Sequence, residues 1–196
     1  VYYIYNRAIT KVGSMGERVI VAGVGMIPFT KPGASDPYHL MGEKAARAAL
    51  EDAGLDYQKV QQAYVGYVYG DSTAGQAALY GVGLSGVPIF NVNNYCSTGS
   101  SALFLARQAV QSGSVDCALA LGFEQMTPGA LGIIFEDRPN PLMRFYEEME
   151  SLQGFDESSP WAAQFFGGAG LEHIKEYGTS VSTLAKIKVK ASRHAA

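Results

Sequence analysis

Asn91-Val-Asn-Asn-Tyr-Cys96-Ser-Thr-Gly-Ser-Ser-Ala102 decides how the chain reads. Residues 88–93 form a short apolar run that predicts a strand, and residues 102–111 predict a helix ended by Gly113. Between them lies a turn of small residues. A strand that runs through such a turn into a helix is the repeating step of a parallel α/β sheet. The same step places Cys96 at or near a helix N-terminus, where the helix dipole and free N–H groups favour a thiolate. Its small neighbours Ser97, Thr98, Gly99 and Ser100 would let a bulky group approach the backbone. A lone free cysteine is more often a small buried hydrophobe, and Cys117, inside an apolar run, fits that reading. At Cys96 the local pattern leaves nucleophile and packed thiol both open.

Outward from this segment the alternation repeats. Residues 18–23, 62–69 and 115–121 predict strands, and helices are expected from about residue 38 to 53 and over 74–84. Asp36 and Pro37 are expected to open the first helix, and Gly54 to close it. Four strands alternating with three helices predict a largely parallel sheet covered on both faces. Past Glu124 the texture changes. Residues 129–161 are rich in Pro, Met, aromatic and charged residues, and helical patches follow near 163–177 and 182–194. Three parts are therefore expected: a leader or appended, non-native segment over 1–14, a core over 15–124, and a helical excursion over 125–196. The chain then stops without a closing strand or cap, which reads as a truncation.

Composition narrows the function. The 196 residues are 47% hydrophobic with a net charge of −3, which suits a packed domain and invites no nucleic acid. Two cysteines with dissimilar surroundings do not make a secreted disulfide framework, and three scattered histidines do not make a metal site. No apolar run is long enough to span a bilayer. Gly23-Val-Gly-Met-Ile-Pro28 begins like a dinucleotide fingerprint, but proline stands where the third glycine is needed. The glycines between 66 and 86 lack the Gly-Lys-Ser/Thr of a phosphate loop and read as packing positions.

Residues 93–102 resemble the nucleophile segment of the thiolase superfamily, with the closer likeness to thiolases of the sterol-carrier-protein type. Val65-Gly-Tyr-Val-Tyr-Gly-Asp-Ser-Thr73, Leu119-Ala-Leu-Gly-Phe-Glu-Gln-Met126, Phe166-Gly-Gly-Ala-Gly170 and Glu172-His-Ile-Lys-Glu-Tyr-Gly178 extend it over about residues 17–194. The resemblance implies an α/β fold in which one βαβαβαββ half contributes to a five-layered α-β-α-β-α core. Residues from about 129 would belong to a helical loop domain, incomplete here, and the C-terminal thiolase half would be absent. It implies thiolytic cleavage of 3-ketoacyl-CoA through an acyl group on Cys96, in fatty-acid or sterol side-chain degradation.

Coenzyme A would be a co-substrate, with no permanently bound cofactor. Phe165, Phe166 and Gly167 would approach its pantetheine, or else form a helix core. Lys186, Lys188, Lys190 and Arg193 would meet its phosphates or form a solvated face, the latter being the commoner case. Acyl-CoA substrates and a second copy of the chain, in a homodimer, are the partners implied. A peroxisomal location is implied for a eukaryotic member and a cytoplasmic one for a bacterial member. The activating histidine and second catalytic cysteine belong to the family's other half, so this chain alone is expected to be inactive. Two alternatives stand beside this reading: a steroid-CoA retro-aldolase on the same scaffold, and a non-catalytic module that binds acyl-CoA or a partner.

Overall fold

The computed structural model describes residues 2–7, 18–128 and 135–195. The chain divides into two compact units, Val1–Ala130 and Leu131–Ala196. In the first, five strands form one sheet: β1 (Tyr2–Arg7), β2 (Val19–Gly25), β3 (Gln62–Gly66), β4 (Ile89–Val92) and β5 (Cys117–Gly122), in the order β2-β1-β5-β3-β4. The helices α1 (Tyr38–Ala53), α2 (Ala74–Val82) and α3 (Thr98–Gln111) alternate with β2 to β5 in the chain. β3 pairs in parallel with β4 and β5. β1 pairs antiparallel with both β2 and β5, so the four strands expected from the sequence all run one way.

The sequence set residues 1–14 apart from the core. The structure instead puts Tyr2–Arg7 inside the sheet, with Ile4 opposite Gly23 on one side and Leu119 on the other. Residues 8–14 lie outside the described residues. The sequence did not predict this strand, because a six-residue strand without flanking turn signals carries little periodicity. What holds it is the pair of open backbone edges that β2 and β5 would otherwise present.

β5 shows why its run is apolar throughout. Cys117, Leu119 and Leu121 face one core, while Ala118 and Ala120 face another. Side chains alternate across a strand, so a strand covered on both faces needs apolar residues at every position. The first core lies under α1 and α2, and contains Ala45, Ala49, Val65, Ala78 and Leu79 at full burial. The second lies under α3 and contains Ala106, Val110 and Val115.

α1 meets β2 at unusually short range. A β-carbon at Gly23 or Gly25 would collide with the backbone of α1 around Ala45 and Ala49. These are the glycines that begin like a dinucleotide fingerprint, and helix docking accounts for both. Gly54 closes α1 in the left-handed conformation, φ 62°, as expected. The opening differs. Asp36 makes no cap hydrogen bond; its carboxylate pairs with Lys44 Nζ at 2.6 Å, and the Tyr38 N–H donates to Gln125 Oε1 instead.

The second unit holds α4 (Met143–Gln153), α5 (Trp161–Tyr177) and α6 (Val181–His194). Tyr146, Phe155, Trp161 and Phe165 stack together, with Trp161 4.3 Å from both Tyr146 and Phe155 by ring centroid. Gln164 ties the loop before α5, accepting from the Asp156 N–H and donating to the carbonyls of Asp156 and Ser159. α4 escaped the sequence reading, because its aromatic and charged residues blur the helical period. No helix among the described residues is long and apolar enough to cross a membrane.

Replacing Ile4 by proline tests the place of β1. Proline cannot donate to a ladder and is confined to sheet edges. Loss of about 1–3 kcal/mol in a urea melt is expected, from the ladder partner left unsatisfied; an unchanged midpoint would mean that the segment stands outside the fold.

Candidate active site

The C-terminal ends of β3, β4 and β5 gather the elements of the site, as is usual for parallel sheets. β4 ends at Val92, and α3 begins at Thr98. That start is four residues earlier than the sequence suggested, so Cys96 precedes the helix by two positions. Cys96 is exposed and Cys117 is buried. Burial, with a smaller contribution from the Asp116 charge, pushes the Cys117 thiol up to about 11. Cys117 packs, as its apolar run suggested, and Cys96, which the local pattern left open between nucleophile and packed thiol, is exposed.

The turn that displays Cys96 is held by its own polar groups. Asn94 Nδ2 donates to Ser101 Oγ at 2.9 Å, and Ser97 Oγ donates to the Asn94 carbonyl at 2.9 Å. The Ser97 and Thr98 N–H groups donate to the carbonyls of Asn94 and Tyr95. Tyr95 takes a left-handed backbone, φ 46°, which is uncommon for a residue with a β-carbon. On the strand, Asn91 Oδ1 accepts from the Gly75 N–H and Asn91 Nδ2 donates to Gln76, which fixes the start of α2 against β4.

Two more contacts set the position of α3. Gly66, at the end of β3, lies against its first turn: a β-carbon there would be 2.8 Å from Thr98 Cγ2 and 3.0 Å from the Thr98 carbonyl oxygen. Glu124, after β5, accepts from the Val68 N–H at 3.0 Å and the Tyr69 N–H at 2.8 Å. A carboxylate shared by two backbone donors holds the loop after β3. Tyr67 in that loop stacks on Phe123, ring centroids 5.2 Å apart. Sequence reading took Gly66 as a packing position, which its close approach to Thr98 matches, but gave Glu124 no task beyond its place in a resembling segment. It named Thr98 only as a small neighbour of Cys96 and gave Asn91 and Asn94 no role, since an asparagine in a turn is ordinary by composition.

The residues assigned to coenzyme A all lie on the second unit. Phe165 packs on Tyr146, ring centroids 5.3 Å apart. Phe166 is 79% exposed, and a β-carbon at Gly167 would meet nothing. Consecutive helical positions turn by about 100°, so Phe165 serves the aromatic stack while Phe166 and Gly167 face outward. On α6, Lys186, Lys190 and Arg193 line one shallow groove with Ala185 and Val189. Lys188 is off that groove and donates to Ser192 Oγ at 2.8 Å. His173 lies beside Tyr177 on α5, and His194 ends α6.

Brief treatment of the folded chain with iodoacetamide at pH 8 is expected to label Cys96 alone. At that pH a thiol titrating near 11 is ionised in on the order of one molecule in a thousand. Peptide mass mapping reads the result, and equal labelling of Cys117 would contradict the burial. Gly66→Ala is expected to cost about 1–3 kcal/mol, because the added methyl meets both the Thr98 methyl and the Thr98 carbonyl in the first turn of α3. A denaturant melt at wild-type midpoint would show that α3 can retreat freely.

The geometry agrees with what comparison finds. Residues 19–138 match the family described as "Thiolase, N-terminal domain". Sterol carrier protein 2 of Bos taurus is 50% identical over 180 residues, which cover 91% of this chain and 33% of that protein. Benzoylsuccinyl-CoA thiolase subunit BbsB of Thauera aromatica is 31% identical over 91% of this chain and 44% of its own length. The chain thus spans about a third of the sterol carrier protein 2 sequence it matches. Among solved structures, the Ltp2-ChsH2(DUF35) aldolase aligns over 81% of this chain and 38% of its own with a TM-score of 0.56; at 17% identity it shows the fold alone. With its sheet, its displayed cysteine and a family match over most of the sheet-bearing unit, the chain belongs to the thiolase superfamily.

Proposed function

We propose that the whole protein carrying this chain is a 3-ketoacyl-CoA thiolase, acting on fatty-acyl or sterol side-chain thioesters, with Cys96 as its nucleophile. The observation that carries the reading is the exposure of Cys96 on the turn between β4 and α3, inside the family match. The likeness to sterol carrier protein 2 and to a benzoylsuccinyl-CoA thiolase supports a CoA thioester as substrate.

The chemistry runs in two steps. Cys96 Sγ attacks the keto carbon of the substrate after losing its proton to a base. The bond between the α and β carbons then breaks, and its electron pair leaves with acetyl-CoA, or with propionyl-CoA from a branched chain, as an enolate that takes up a proton. The shortened acyl group remains on sulfur. A second coenzyme A, as thiolate, attacks that thioester and releases Cys96. Division through a thioester replaces one difficult cleavage by two easier transfers. The backbone N–H of Cys96 is one donor for the developing oxyanion. The hydrogen bonds of the turn use the N–H groups of Asn94, Tyr95, Ser97, Thr98 and Ser101, and that N–H is not among them. Its base and second cysteine are assigned, by resemblance, to the family's other half. Phe166 and Gly167 are the open positions on α5 for a pantetheine arm, and Lys186, Lys190 and Arg193 the cations for phosphates. A homodimer, and a peroxisomal or cytoplasmic location according to source, complete the proposal.

Intact mass after incubation with a 3-ketoacyl-CoA tests it on the whole protein, the isolated chain and Cys96→Ala of each. The whole protein is expected to gain a hydroxylamine-labile acyl mass, lost in Cys96→Ala, and the isolated chain little or none. A whole protein that binds CoA esters but never acylates would replace the thiolase mechanism by a retro-aldolase or a binding module.

A further inference from the structure

We infer that Thr98 is a positioning residue for Cys96: its buried hydroxyl holds Tyr95 in the left-handed conformation that turns the cysteine out of the fold. This rests on Cys96 being the nucleophile.

Thr98 is 5% exposed, so its hydroxyl is buried. Its hydroxyl is used twice. Oγ1 accepts from the Asn94 N–H at 2.8 Å and donates to the Tyr95 carbonyl at 2.5 Å. The two bonds close a ring around the residues immediately before and including Tyr95. The methyl of the same side chain packs where Gly66 has no β-carbon. Thr98 is therefore fixed by β3 on one side and grips the Cys96 turn on the other.

That grip opposes a definite cost. A left-handed backbone is unfavourable by roughly 1 kcal/mol or more for a residue with a β-carbon. Without the hydroxyl, Tyr95 gains by relaxing to negative φ. The Asn94 N–H then loses its side-chain partner in a half-buried place, and the Tyr95 carbonyl keeps only the Thr98 N–H, so the turn has a second reason to rearrange. Cys96 follows Tyr95 directly, and any change in φ at Tyr95 swings it. Ground-state binding of a CoA thioester does not depend on that swing, whereas attack by Sγ does, since a misplacement of about 1 Å can cost on the order of a hundredfold in rate.

The test compares Thr98→Val, Thr98→Ser and the double variant Thr98→Val/Tyr95→Gly in the whole protein, with acetoacetyl-CoA and coenzyme A as substrates. Active sites are counted by stoichiometric alkylation of Cys96. Thr98→Val is expected to lower kcat per site about ten- to a hundredfold, with KM within about twofold. Thr98→Ser keeps the hydroxyl and is expected to stay within about threefold of wild type. Glycine adopts positive φ without strain, so the double variant is expected to recover most of the lost kcat. A purely structural role for Thr98 would reduce the number of folded sites, not kcat per site, and would gain nothing from Tyr95→Gly. If Thr98→Val does not fold, Thr98→Ala takes its place under the same criteria. Wild-type kcat in the hydroxyl-free variant, or no recovery in the double variant, overturns this inference alone, provided that wild type acylates at Cys96. A wild type that never acylates there overturns the nucleophile assignment as well.

Discussion

The approach of α3 to the sheet governs the rest of the structure. Its first turn lies against Gly66 so closely that no β-carbon fits, and it carries Thr98 into the interior with its hydroxyl attached to the preceding turn. A helix that began one turn later, or stood a side chain further away, would leave Cys96 on an unconstrained loop. The close docking converts a short run of small residues into a rigid display of one sulfur. The same principle operates at β2, where Gly23 and Gly25 admit α1 to within backbone contact. At these two approaches, one on each face of the sheet, the helix bears on its strand through glycine.

Much of this was legible beforehand, for physical reasons that differ by element. β5 was readable because burial on both faces demands an unbroken apolar run, and Cys117 to Leu121 supplies one. α1 was readable from its alanine period and from Gly54, although Asp36 was credited with a cap it does not make. Cys96 stood out because a cysteine among small polar residues after a strand is unusual. Thr98, Asn94 and Glu124 did not, because their importance lies in partners that the chain brings together only on folding. Glu124 meets Val68 and Tyr69 across more than fifty residues, and no local pattern encodes that meeting. β1 was not predicted for the same reason: its identity as a strand depends on the two edges it joins.

The two units are stabilised differently. The sheet-bearing unit has continuous aliphatic cores with Leu79, Leu119 and Leu121 almost wholly enclosed. The other rests on one aromatic stack and a set of polar loop contacts around Gln164, and among its described residues only Met149 is buried. Chemistry that depends on precise placement belongs with the first kind of scaffold, while a surface that must admit substrates of differing length can belong with the second.

The position of β1 sets a timetable for folding. Its ladder with β5 joins Tyr3 to Ala120 and Asn6 to Cys117, pairings that span more than a hundred residues. Until β5 exists, β1 and β2 can form only a two-stranded ribbon, which is marginal by itself in water. β3, β4 and β5 can assemble through the shorter crossovers of α2 and α3. Loop-closure entropy therefore favours a core that condenses from its middle, with the first strand in the chain among the last to gain its full complement of neighbours. On a ribosome, β1 would wait for more than a hundred further residues to emerge before β5 could complete its second ladder.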